Sequence, residues 1–201
     1  MRRWLLLVLV VPLLTACGGG STPVTGPGPH SIDVAGRQLV AFKKQTMIPN
    51  CPRVTSQAAD GGMPSVTLPC LGGGRSVDVA GLRGPMILNF WASWCSGCRK
   101  EMPALAAYAA HTPGVKVVGI DFEDAQPPAA LELAENSDVR YPLLADPQGA
   151  LDKTRPLPHI SGLPMTVFIA ADGSIAHIEP GSMTSEKDVA AAAEQFLGVA
   201  G

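Results

Sequence analysis

"FWASWCSGCRKEMP" runs from Phe90 to Pro103. The residues leading into it, Met86–Phe90, form an apolar run that reads as a buried strand. The residues after it carry no breaker apart from Pro103 until Pro113-Gly114, so a helix is expected from near Cys95 to that point. A strand that feeds a helix through a tight turn places Cys95 at the helix N-terminus. Unpaired N–H groups and the positive end of the helix dipole favour an anion there. The thiolate is the reactive form of cysteine, so Cys95 is expected to have a lowered pKa and to act as nucleophile. Cys98 follows one turn deeper on the same face and is placed to attack a mixed disulfide formed at Cys95.

A CxxC pair also serves zinc. A structural zinc site takes four ligands, usually a second CxxC or a Cys/His pair. The only other thiols in the body of the chain are Cys51 and Cys70, which lack that spacing, and the four histidines are scattered. Redox chemistry is the expectation, with no metal and no cofactor.

Working outward, Val66–Leu68 and Ser76–Val79 alternate around "CLGGGR" and read as a hairpin. Val115–Asp121, "VKVVGID", is a second buried strand, and "PPAALELAENS" opens on prolines suited to a helix start. Leu143–Ala145 is a short strand candidate. Met165–Ala170 and Ser174–Ile178 flank a turn at "ADG". Thr184–Leu197 reads as a helix with Thr184 or Ser185 as N-cap and Gly198 as its stop. Strand–helix alternation followed by a terminal hairpin and helix implies an α/β fold, a central mixed sheet with helices on both faces.

The chain has 201 residues, of which 46% are hydrophobic and 16% charged, the balance of a globular protein rather than a disordered one. Its net charge of -2 includes no long basic run, so nucleic acid is not an expected partner. Residues 1–16 have the layout of a secretory signal: Arg2 and Arg3, then "WLLLVLVVPLL", then "LTAC" ending at Cys17. "GGGSTPVTGPGPH", Gly18 to His30, holds one bulky apolar residue, Val24, and cannot bury anything. It reads as a flexible tether with a span of roughly 20 Å. The expected organisation is residues 1–16 as signal, 17–35 as tether and 36–201 as the folded domain.

There are five cysteines. With Cys17 at the signal boundary and Cys95 and Cys98 paired, Cys51 and Cys70 remain, an even remainder in an oxidising compartment. A structural disulfide between them closes about 20 residues, which the chain-entropy model values at about 3 kcal/mol. Two separate buried thiols are the alternative.

"ILNFWASWCSGCRKEMP", with "GLPMTVFI" and the following "DG", resembles the thioredoxin-like fold, specifically the extracytoplasmic TlpA/ResA/DsbE group of membrane-tethered disulfide reductases. The likeness runs from about Ser65 to Gly198. "LTAC" likewise resembles the bacterial lipobox, which implies cleavage before Cys17 and lipidation of its sulfur. The resemblance implies an N-terminal hairpin and a central insertion in the fold. It implies that Cys95 is the exposed nucleophile and Cys98 the resolving thiol, that Trp94 packs over the site, and that Pro164 is a cis-proline facing the cysteines with Leu163 offering backbone groups to a bound peptide. Asn89 stands where cytoplasmic thioredoxins carry a buried Asp. Glu101 is the implied substitute, an acid near the cysteines that raises their pKa. Gly97 departs from the proline usual in that motif.

The leading expectation is a thiol–disulfide reductase anchored by lipid on the extracytoplasmic face of the cell membrane. It would be monomeric, take electrons from a membrane thiol donor and act on client protein disulfides, apocytochrome c among them. An oxidase that introduces disulfides into secreted proteins is the second reading. A copper carrier using Cys95, Cys98 and a histidine such as His159 is the third. Asp121, Glu123 and Asp124 are expected in a solvated loop or lining a partner groove, and His177 in a structural strand position.

Overall fold

The computed structural model describes residues 32–199; the expected signal segment, Cys17 and most of the tether lie outside them. Element order is α1 (Arg37–Lys43), β1 (Thr67–Leu68), β2 (Val77–Asp78), β3 (Met86–Trp91), α2 (Ser96–His111), β4 (Lys116–Phe122), α3 (Pro127–Asn136), β5 (Leu143–Asp146), β6 (Met165–Ile169), β7 (Ile175–Pro180) and α4 (Glu186–Leu197). No helix among the described residues is long and apolar enough to cross a membrane.

Five strands form one mixed sheet in the order β5-β4-β3-β6-β7, parallel across β3, β4 and β5 and antiparallel from β3 through β6 to β7. β3 is central and wholly buried. Its alternation assigns the two sides: Ile87 and Trp91 point into one apolar cluster, Leu88 and Phe90 into the other. The first cluster collects Leu39, Leu105, Leu131 and Val189, one residue from each helix. The helices therefore flank the sheet, but on one side rather than on both. Right-handed crossovers explain this: β3–α2–β4 and β4–α3–β5 step in the same direction along the sheet, so both helices fall on the same face. The opposite face is covered by the β1–β2 hairpin, a 3-10 turn at Val79–Gly81, and the long segment between β5 and β6 that carries Leu151, Leu157 and Ile160. The stretch between β4 and β6 carries α3 and β5.

Local chemistry sets the element ends. Pro127 and Pro128 open α3, where missing N–H groups cost nothing. Ser185 caps α4 in a reciprocal capping box with Asp188, and Gly198 closes it at φ 66°. The turn between β1 and β2 needs Gly72, Gly73 and Gly74, all at positive φ.

Two features depart from expectation. Residues 32–35 belong to the folded body rather than to the tether: Val34 is buried, and its carbonyl accepts the Gly72 N–H at 2.8 Å. Helix α1 was not expected at all. Beside it, Cys51 and Cys70 are joined in a disulfide. The stapled segment runs antiparallel along β5: Ala145 N–H donates to the Pro69 carbonyl and Leu71 N–H to the Leu143 carbonyl, both at 2.9 Å.

Candidate active site

β3 delivers the chain into the turn "ASWC", and α2 begins at Ser96 with Cys95 as its N-cap. Cys95 keeps extended backbone, φ -82° and ψ 113°, and its sulfur accepts the Cys98 N–H at 3.0 Å. One orphan donor of the helix start is thus spent on sulfur, where a side-chain oxygen would usually sit. Cys95 and Cys98 are joined in a disulfide, Cys95 at 5% exposure and Cys98 fully buried. The arrangement suits a bond that opens to a helix-stabilised thiolate on the outer sulfur.

Among the described residues Trp94 is one of two large exposed apolar side chains, 55% accessible, and its indole N–H donates to the Glu123 carbonyl at 3.3 Å. The Leu163–Pro164 peptide is cis. It faces the cysteine turn: a Cβ added to Gly97 would lie 3.1 Å from Pro164 Cδ and 3.0 Å from Ser182 Oγ. Glycine at this position is therefore a matter of close approach. The Pro164 carbonyl in turn accepts the Gly181 N–H, which ties the proline loop to the Gly181–Met183 loop.

Beneath the cysteines, Glu101 is fully buried on α2, one turn beyond Cys98. Its Oε2 accepts the Asn89 amide at 2.8 Å and its Oε1 accepts the Met183 N–H at 3.0 Å. Burial pushes its carboxyl from the usual 4.5 up to about 7, although both hydrogen bonds pull the other way. Burial first, and the Glu101 charge second, push the Tyr141 phenol up as well. Asn89 also donates to Thr166 Oγ1 at 3.3 Å, while its Oδ1 has no partner. α2 runs through Pro103 without a break in its helical span.

A pair of buried acids lies at the end of β4. Asp124 accepts the N–H groups of Ser93 at 2.6 Å and Gln126 at 2.8 Å, so it anchors the turn that leads to Cys95. Asp121 is buried beside it, and desolvation, then the Asp124 charge and a hydrogen bond to it, hold its carboxyl well above the ordinary range. Only Glu123 of the three is exposed, so the solvated-loop expectation is corrected for Asp121 and Asp124. Strand β4 ends at Phe122, one residue beyond the expected strand, and Asp121 is buried within it.

The structure thus gathers Cys95, Cys98, Trp94, Leu163, Pro164 and Glu101 into one region. It does not gather His159, whose Nδ1 pairs with Asp152 at 2.9 Å on the surface, and no group of three potential metal ligands occurs among the described residues. His177 stacks on Phe196 with ring centroids 3.7 Å apart. Ser182 and Met183 were not legible in the sequence, because no motif marks them; Asp124 was named there, but not its role as acceptor of the Ser93 N–H.

The AhpC/TSA family profile matches residues 60–178, more than half of the chain. A thiol:disulfide interchange protein DsbE homolog of Paracoccus denitrificans is 36% identical over 105 residues, covering 51% of this chain and 54% of that protein. Thiol-disulfide oxidoreductase ResA of Bacillus subtilis is 29% identical over 115 residues, covering 55% and 62%. The chain thus spans about half to three fifths of these curated relatives. Among solved structures, a secreted Mycobacterium tuberculosis disulfide oxidoreductase homologous to E. coli DsbE superposes with a TM-score of 0.56 at 28% identity, over 65% of this chain and 96% of that one. MTB dsbF superposes with a TM-score of 0.57 at 27% identity, over 66% and 95%. The fold is thioredoxin-like, and the chain belongs to the AhpC/TSA family.

Proposed function

We propose that this protein is a thiol–disulfide oxidoreductase of the DsbE/ResA type that works as a reductase of client protein disulfides. The observation that carries the reading is the cysteine pair itself: a nearly buried disulfide whose outer sulfur caps α2 and accepts a helix N–H. Reduced Cys95 attacks a client disulfide as thiolate, forming a mixed disulfide and releasing the first client sulfur. Cys98 then attacks Cys95 Sγ, the Cys95–Cys98 bond closes, and the second client thiol departs. Two electrons pass to the client. Glu101, pushed up to about 7, is the group we assign to take the Cys98 proton in that second attack. Trp94 and the Leu163–Pro164 peptide form the client-facing surface.

The signal-like residues 1–16 and the Cys17 lipobox support a lipid-anchored location on the extracytoplasmic face. The names of the relatives support thiol-bearing client proteins; we extend this reading to a membrane thiol donor upstream and to apocytochrome c among the clients. The oxidase reading draws on the Cys98 N–H held against Cys95 Sγ, since stabilising the thiolate favours the reduced form and makes a pair more oxidising. Equilibration with glutathione separates the two: a strongly oxidising potential overturns the reductase reading. For the order of attack, Cys98→Ser is expected to accumulate a mixed disulfide through Cys95 in membranes, with Cys95→Ser accumulating little. Equal trapping by both variants refutes the assigned roles.

A further inference from the structure

Lys43, the last residue of α1, is buried. Its Nζ lies 2.7 Å from the Leu71 carbonyl oxygen, 3.3 Å from that of Gly73 and 3.2 Å from Cys70 Sγ. No ion pair among the described residues includes it, and residues 1–31 contain neither Asp nor Glu. A buried ammonium with neutral acceptors alone is costly, because nothing offsets the loss of hydration with opposite charge. Burial accordingly pushes the Lys43 amino group below its ordinary value.

The two sulfurs of the neighbouring disulfide have opposite surroundings. Cys70 Sγ faces two donors, Lys43 Nζ and the Cys51 N–H, each at 3.2 Å. Cys51 Sγ faces an acceptor, the Leu143 carbonyl oxygen, also at 3.2 Å. A neutral disulfide has little use for this polarity. The reduced pair uses all of it: a thiolate at Cys70 accepts from both donors and supplies the missing counter-charge, while a thiol at Cys51 donates to Leu143.

We propose that Cys51–Cys70 is a second thiol–disulfide exchange site, polarised by Lys43 so that an incoming small thiol attacks Cys51 and Cys70 leaves as thiolate. In the first step a thiolate RS⁻ bonds to Cys51 Sγ, and the pair of electrons from the broken Cys51–Cys70 bond stays on Cys70 beside the ammonium. In the second step another thiolate attacks the R-bearing sulfur, RSSR departs, and the Cys51 sulfur takes a proton from solvent. Two thiols are oxidised to one disulfide, and the protein disulfide gains two electrons. The burial of both sulfurs, 5% exposed at Cys51 and 1% at Cys70, favours a small thiol over a protein one, and the more open sulfur is the one attacked. This site is independent of the assignment made for Cys95.

The test uses the full-length chain as wild type, Lys43→Met and Lys43→Arg. Each is equilibrated in fixed mixtures of reduced and oxidised dithiothreitol, quenched in acid, alkylated and mapped by peptide mass. The ratio of reduced to oxidised Cys51–Cys70 is expected to fall at least tenfold in Lys43→Met, equivalent to about 30 mV for a two-electron couple. In Lys43→Arg it stays within about threefold, and the Cys95–Cys98 ratio holds in all three. An unchanged Cys51–Cys70 ratio in Lys43→Met, or an equal shift of both pairs, overturns the proposal. If Lys43→Met does not fold, a brief pulse of glutathione on oxidised wild type decides: the adduct belongs on Cys51 and the free thiol on Cys70. Adduct on Cys70, an even mixture, or no opening of the bond refutes it.

Discussion

Glu101→Gln isolates the titration of one buried carboxyl. Glu101 accepts one hydrogen bond from Asn89 and one from Met183, and a glutamine keeps both contacts. Its Oε1 still accepts the Met183 N–H. Its amide meets Asn89, whose unpartnered Oδ1 turns to accept it once the asparagine amide flips. The substitution therefore removes ionisation with little change of shape. In the folded protein the carboxyl titrates at about 7 rather than 4.5, so the folded state holds its proton across a span in which the unfolded chain has lost it. A raised folded value gives a contribution that is fully present below the unfolded pKa and disappears as pH climbs through the folded one. At about 1.4 kcal/mol per pH unit, wild type loses about 3 kcal/mol relative to the variant between pH 4.5 and pH 7. Denaturant unfolding of both oxidised proteins at pH 4.5, 6 and 7.5 measures this as a difference, in which other titrating groups cancel. Parallel pH profiles would refute the claim that this carboxyl is neutral in the fold at low pH and forced to ionise in the core near neutrality. The same substitution should flatten the acid limb of the rate of client reduction.

Gly97→Ala is expected to cost about 1–3 kcal/mol by overpacking, since Pro164 cannot rotate away from the new methyl group. Adding Ser182→Ala should return part of that loss, and a thermal-melt double-mutant cycle showing strict additivity would contradict the contact. Asp121→Asn should cost less than Asp124→Asn, because burial and the Asp124 charge already disfavour the ionised Asp121 carboxyl that the amide replaces, while Asp124→Asn should lose about 1–3 kcal/mol by weakening the acceptor of the Ser93 and Gln126 N–H groups. Chemical denaturation at two pH values checks both. Replacing Cys51 and Cys70 together by alanine should lower unfolding free energy by about 3 kcal/mol, read from the urea midpoint at constant m-value.

What was legible in the sequence follows from what repeats or punctuates. The strand before Cys95 announced itself as an apolar run, α2 ended where Pro113-Gly114 required, and Ser185 and Gly198 bound α4 as their chemistry dictates. The cysteine pair, the proline at 164 and the acid at 101 were read from one compact motif and a familiar downstream pattern. α1 escaped because "RQLVAFK" is seven residues long, lacks a side-chain N-cap and buries only Leu39 and Lys43. A lysine in the core is invisible to a hydrophobic pattern, since its burial depends on carbonyls and a sulfur contributed 27 to 30 residues later. Asp121 and Asp124 were read as loop or groove residues for the same reason: Asp121 lies beside Asp124, and Asp124 accepts the Ser93 N–H from a turn 31 residues earlier. The distribution of helices on the sheet is a property of topology, which strand order decides and local pattern does not.

The stapled loop also governs how this protein meets copies of itself. β5 is the outermost strand on its side of the sheet, and the backbone groups that would otherwise await a foreign strand are taken by Pro69 and Leu71. The covalent link through Cys70 sits between those two residues and fastens the cover in place. Cutting the link loosens a plug over an open ladder edge, so a fully reduced preparation should oligomerise through β5 where the oxidised one stays dispersed.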